Sequence, residues 1–79
     1  MKLTVKTFGI TRDILGGRLV EIEVTQPTVS SLRSELVRQY PELESLNSLF
    51  VAVNSRYAEE TQELSSSDEI ALIPPVSGG

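Results

Sequence analysis

Seventy-nine residues and 8.7 kDa suffice for one small domain with a modest core and no deep catalytic pocket of its own. A sequence with no cysteine and no histidine has no disulfide framework, thiol nucleophile, imidazole base or ordinary zinc site. Eleven acidic against seven basic side chains, a formal net charge of −4, argue against nucleic acid, whose binding rests on phosphate neutralisation, and favour basic protein partners.

Residues Lys2 to Phe8 alternate, with Leu3 and Val5 on one side and Lys2, Thr4 and Lys6 on the other. That period of two predicts a half-buried strand. A second follows, with Val20, Ile22 and Val24 inward and Glu21, Glu23 and Thr25 outward. The outward lysines and glutamates suit cross-strand pairs in an antiparallel hairpin. In the long connection between them, Thr11 to Leu15 fits one helical turn ended by Gly16-Gly17. Arg12-Asp13 within it reads as a solvated ion pair that contributes little.

After Pro27-Thr28 the period changes. Val29, Leu32, Leu36, Val37 and Tyr40 fall on one face of a helix, capped by Thr28 and stopped by Pro41. Arg33 and Arg38 are placed on its wet face. Glu42 to Leu49 is irregular or a short helical turn. Phe50-Val51-Ala52-Val53 reads as a buried strand, Asn54-Ser55-Arg56 as a turn, and Tyr57 as the start of a short edge strand. Ser65 to Asp68 makes another turn before a last strand, Glu69 to Ile73, which ends at Pro74-Pro75.

This order has few packing solutions. One helix must lie across one mixed sheet of four to five strands, a two-layer α+β domain. With the first and last strands adjacent at the centre and a right-handed crossover between them, that is a β-grasp, the ubiquitin-like roll. Residues 1–75 form the domain and 76–79 an extended tail. No stretch approaches a membrane span, and Met1-Lys2-Leu3 opens into strand-like sequence rather than a signal peptide, so a cytoplasmic protein without membrane contact is expected.

The tail, Pro74-Pro75-Val76-Ser77-Gly78-Gly79, carries no charged side chain. The prolines end the sheet and favour a semi-rigid extended arm. Gly78 and Gly79 lack a Cβ, so that stretch of backbone fits a slot too narrow for other residues. Two adjacent glycines at a chosen position arise by chance in about one chain in 200; following a stiff neutral arm on a β-grasp body, they are informative.

Pro74 to Gly79, preceded by Asp68-Glu69-Ile70-Ala71, resembles the ending of the small, sulfur-carrying subunits of molybdopterin synthase. The similarity spans the chain and takes in Phe8-Gly9, Arg12-Asp13, Thr28-Val29 and Val51-Ala52-Val53-Asn54. It implies that a ubiquitin-activating-type adenylating enzyme, using ATP and Mg²⁺, activates the Gly79 carboxylate as an acyl-adenylate. A persulfide donor then displaces AMP to leave a thiocarboxylate. Pro74, Pro75, Val76, Ser77 and Gly78 would thread into the large synthase subunit, where the Gly79 sulfur attacks precursor Z. The resemblance further implies a heterotetramer of two small and two large subunits, no cofactor or metal held by this chain, and acids, bases and oxyanion donors supplied by partners. Gly79 is the one covalent participant.

Strand parity puts Phe8 on the face away from the helix and Ile73 opposite to Ile70 and Leu72, with Tyr57 just past the Asn54 turn. Apolar groups gathered on a wet sheet face form an interaction patch. Phe8, Tyr57 and Ile73 are therefore the candidate contacts to both activator and large subunit. The alternatives are a thiamine-pathway carrier with the same activation, a ubiquitin-like modifier that forms isopeptides through Gly79, and an adaptor domain with an inert tail.

Overall fold

With Leu3, Val5 and Thr7 on one side of the first strand, burying that side requires a sheet face and a second layer to cover it. The structure is a computed structural model and describes residues 1–46 and 49–75. Its elements are β1 (Lys2–Thr7), α1 (Ile10–Leu15), β2 (Leu19–Glu23), α2 (Val29–Gln39), a 3-10 turn (Pro41–Ser45), β3 (Phe50–Val53), β4 (Arg56–Tyr57) and β5 (Ile70–Ile73). The sheet order is β2-β1-β5-β3-β4. β1 and β5 run parallel, with Val5 opposite Ile70 and Thr7 opposite Leu72. The other pairs are antiparallel. This is the β-grasp roll, with the mixed sheet at five strands.

α2 supplies Val29, Leu32 and Leu36 to a core shared with Leu3 and Val5 of β1, Ile22 of β2, Val51 and Val53 of β3, and Ile70 and Leu72 of β5. Fully burying each such leucine is worth about 1.5–3 kcal/mol. Thr28 is extended (φ −128°) and its hydroxyl oxygen accepts from the Ser31 amide at 3.2 Å, which caps the helix. At the other end the Tyr40 amide donates to the Leu36 carbonyl at 2.7 Å, and Pro41 opens the 3-10 turn that buries Leu43. Gly16, at φ +83°, stops α1 in the left-handed conformation glycine tolerates.

Four expectations need correction. Lys2 does lie opposite Glu23, but Thr4 faces Glu21 and Lys6 faces Leu19, so only one of the two lysines meets a glutamate across the hairpin. Lys6 instead lies 3.4 Å from Glu69, at the threshold of β5. Arg12 and Asp13 form no ion pair with each other, because adjacent residues on a helix project in different directions. Arg33 is half-buried rather than wet: its Nη1 donates to the Leu49 carbonyl at 2.6 Å and its Nε lies 2.8 Å from Glu60 Oε1. It straps α2 to the segment leading into β3 and to the loop after β4. Arg38 is exposed as expected and pairs with Glu35 one turn away. The buried strand at 50–53 is buried only in part, since Phe50 is exposed.

Leu36→Ala is expected to cost about 2–5 kcal/mol of unfolding free energy. Thr28→Ala, which removes only the cap, is expected to cost about 1 kcal/mol. Urea unfolding of both variants checks this ordering, and equal losses would contradict it.

Candidate functional site

Residues directly opposite one another in a sheet project to the same face. Ile70 and Leu72 are buried under α2, which turns Ala71 and Ile73 to the other side. Register then carries that outer face across the sheet. Ile73 lies opposite Phe50, Ala71 opposite Ala52 and Lys6, and Ala52 opposite Tyr57. The Phe50 and Tyr57 rings stack with centroids 5.1 Å apart and planes 18° apart. Phe8, Ala52, Tyr57, Ala71 and Ile73 line one shallow groove, flanked by Ser55 and by the Lys6–Glu69 pair. The three candidate contacts are thus brought together on the face away from the helix. Tyr57 is 69% exposed, and Phe8 and Phe50 are each more than two-fifths exposed, an apolar and aromatic surface of the kind that recognises a partner.

Phe8 is held in place by a residue that composition did not single out. The buried Thr11 hydroxyl accepts from the Phe8 amide at 2.9 Å and donates to the Phe8 carbonyl at 2.6 Å. The short α1 therefore acts as a bracket on the Phe8 backbone. Gly9 follows at φ +55° and ψ −131°, a conformation open to glycine. A Cβ at Gly9 would stand 3.4 Å from Pro74 Cγ. The chain leaving β5 thus passes over Gly9 directly beside Phe8, and both Pro74 and Pro75 are half-buried there. Val76, Ser77, Gly78 and Gly79, with the boundary between domain and tail at 75/76, lie outside the described residues.

The β3–β4 turn forms the opposite rim. Asn54 and Ser55 take φ +52° and +71°, the geometry that matches a two-residue hairpin to strand twist. Asn54 Nδ2 donates to Asp68 Oδ1 at 3.0 Å, and its Oδ1 accepts from the Glu69 amide at 2.9 Å. Asp68 Oδ2 in turn accepts from the Ser65 amide at 2.8 Å. These bonds tie the turn beside Tyr57 to the entry of β5. They hold the Asp68 carboxyl below the usual carboxylate range, through the Ser65 backbone amide first and the Asn54 side chain second.

Sequence reasoning missed Phe50, Thr11 and Gly9 as contributors. Parity with Val51 and Val53 would have turned Phe50 outward. A threonine three residues after Phe8, at a helix start, is a known bracket for a local amide. Nothing local marks Gly9 as the residue under Pro74, since that approach spans sixty-five positions.

The chain matches the ThiS family over residues 5–79. It is 34% identical, over 91% of its own length and 90% of the other protein, to a molybdopterin synthase sulfur carrier subunit from Dictyostelium discoideum. Its fold superposes on the small archaeal modifier protein SAMP1 from Haloferax volcanii with a TM-score of 0.81 and 30% identity, covering 100% of both chains. It also matches a chain in the complex of subunits 1 and 2 of the molybdopterin-converting factor from Helicobacter pylori, with a TM-score of 0.68, 26% identity and 100% of both chains covered.

Thr11→Val keeps the shape and removes both bonds to Phe8. It is expected to cost about 1–3 kcal/mol in chemical unfolding, against little for the exposed neighbour Asp13→Asn. For Asp68, a depressed folded-state pKa means a contribution to stability that is complete above the unfolded carboxylate value, near about 4. It is lost as pH falls through the lower folded value. Thermal unfolding between pH 6 and pH 2 is expected to show a shallower acid decline for Asp68→Asn than for the wild type, and parallel declines would contradict the assignment.

Proposed function

We propose, from the premise that the chain belongs to the ThiS family, that it serves as the sulfur-carrier subunit of a molybdopterin synthase, delivering sulfur as a Gly79 thiocarboxylate. The observation that carries the reading is the convergence of the apolar groove on the tail root: Ile73 runs straight into Pro74, and Phe8 abuts the Gly9 that Pro74 crosses. A partner seated on Phe8, Phe50, Tyr57 and Ile73 receives the residues after Pro75 at its own surface. The curated relative in D. discoideum and the two-subunit complex from H. pylori support the same reading.

A free α-carboxyl group ordinarily titrates at about 3.5, and in its ionised form a carboxylate is a poor electrophile. A ubiquitin-activating-type enzyme supplies ATP and Mg²⁺. A carboxylate oxygen attacks the α-phosphorus, pyrophosphate leaves, and the acyl-adenylate carries AMP as a good leaving group. The terminal sulfur of a persulfide displaces AMP, and a thiol cleaves the resulting acyl disulfide to a thiocarboxylate and a disulfide. Val76 to Gly79 then enter the large subunit, where the terminal sulfur attacks precursor Z. Two carrier turnovers supply the two sulfurs, within a heterotetramer of two small and two large subunits acting in the cytoplasm. The groove recognises, and the partners contribute the acid–base chemistry.

A second reading is favoured by the full-length likeness to SAMP1: the same acyl-adenylate, intercepted by a lysine amine, yields an isopeptide.

Intact-mass spectrometry tests both readings. Incubation with the activating enzyme, ATP, Mg²⁺ and a persulfide donor is expected to replace one oxygen of the chain by sulfur. Deletion of Gly79 is expected to abolish the change and leave thermal unfolding unaltered. An unchanged mass in the wild type overturns the carrier reading, and higher-mass conjugates that survive boiling and reductant establish the modifier one. Phe8→Ala and Tyr57→Ala are each expected to weaken large-subunit binding by about thirtyfold, the size of a buried aromatic anchor. Unchanged affinities would remove the groove from the account.

A further inference from the structure

The chain is acidic overall, yet three of its seven basic residues gather at one end of the sheet. Lys6 and Phe8 of the apolar groove also border a second groove, completed by Thr7, Arg12 of α1, and Arg18 and Leu19 at the start of β2. No acidic side chain lines it. Arg12 and Arg18 are exposed and, among the described residues, enter no ion pair. Lys6 has Glu69 at 3.4 Å, toward β5, whereas Arg18 and Leu19 lie toward β2 on the other edge of β1. The frame is rigid: the Thr7 amide donates to the Arg18 carbonyl at 2.9 Å, the Thr7 hydroxyl donates to the Gly17 carbonyl, and Gly16 closes α1 onto Arg12. The floor is apolar, with Leu19 61% exposed opposite Lys6.

Two unpaired guanidinium groups and an ammonium around an apolar floor complement a segment that carries carboxylates beside an apolar side chain. Arginine forks bind carboxylates in pairs. We infer that this groove is a docking site for an acidic segment of the large synthase subunit, continuous with the aromatic face through Lys6 and Phe8. The inference rests on the carrier reading for the identity of the partner and on charge complementarity for its chemistry. A protein of net charge −4 approaches an acidic segment productively only with this end forward. The groove therefore steers the encounter and fixes which way the tail root faces.

The test is stopped-flow association of the full chain with the large subunit at graded salt, using Arg12→Glu, Arg18→Glu and, as a control of equal net charge on the other layer, Arg38→Glu. Thermal unfolding verifies that each variant is folded. Each groove variant is expected to associate about tenfold more slowly at low salt, with the wild-type rate falling as salt rises and the control within twofold of wild type. Groove variants that match the control overturn the inference. A wild type that does not bind the large subunit overturns the carrier reading instead. The groove is then decided by amide chemical shifts during titration with the peptide Ac-Glu-Leu-Glu-Glu-NH₂ or with inorganic phosphate. Shifts at Lys6, Arg12 and Arg18 with the peptide alone support peptide docking. Equal shifts with phosphate, or none with either, overturn it.

Discussion

The parallel pairing of β1 with β5 at the centre of the sheet is the constraint on which the site depends. Val5, Lys6 and Thr7 lie opposite Ile70, Ala71 and Leu72, so residues at the two ends of the sequence finish at the same edge of the domain. Such a pair needs a long crossover, which α2 supplies while covering the core face. Once Ile70 and Leu72 are locked under Leu32 and Leu36, strand geometry leaves Ile73 no choice of face. Pro74 then falls over Gly9, and Phe8 stands next to it. The apolar groove is thus a consequence of core packing on the other side of the same strands.

Around that centre the two rims are fixed by different means. On the β1 side, Thr11 makes reciprocal bonds with the Phe8 backbone, which fixes the stretch of chain that carries the ring. On the β4 side, a left-handed turn is tied by Asn54 and Asp68 to the entry of β5. Both devices act on backbone that borders exposed aromatic rings. Fixing that backbone before binding lowers the entropy lost on association. Charge is unevenly distributed: acidic side chains outnumber basic ones over the chain as a whole, and the cationic groove marks one end of it.

Where a pattern repeats locally, the sequence was informative. The alternation in β1 and β2, the helical stripe of α2, the Thr28 cap and the parity of Ile73 against Leu72 all appear in the structure as read. The misreadings share a cause, which is that the deciding neighbour is distant in sequence. Arg33 looked solvent-facing on a helical wheel, but Leu49 and Glu60 come from other segments. Lys6 reads as a glutamate's partner across the hairpin, whereas the register places Leu19 there and brings Glu69 close from the residue before β5. Phe50 opened an apolar run of four with no polar residue to show its side, and burial was assigned to the whole run. Of the site, Phe8 and Ile73 are legible through parity, and Tyr57 through its place just past the Asn54 turn. The cationic groove was not, because Lys6, Arg12 and Arg18 meet only when α1 folds back beside β1.

The central claim is that the groove and tail root present Gly79 to the large subunit for sulfur transfer. The most direct measurement is single-turnover conversion of precursor Z by the large subunit supplied with chain thiocarboxylated at Gly79. The account predicts molybdopterin formed at two carriers consumed per product, with sulfur lost from the chain at the same rate. Retention of the thiocarboxylate with no product, in a mixture where the two proteins form a complex, would contradict it.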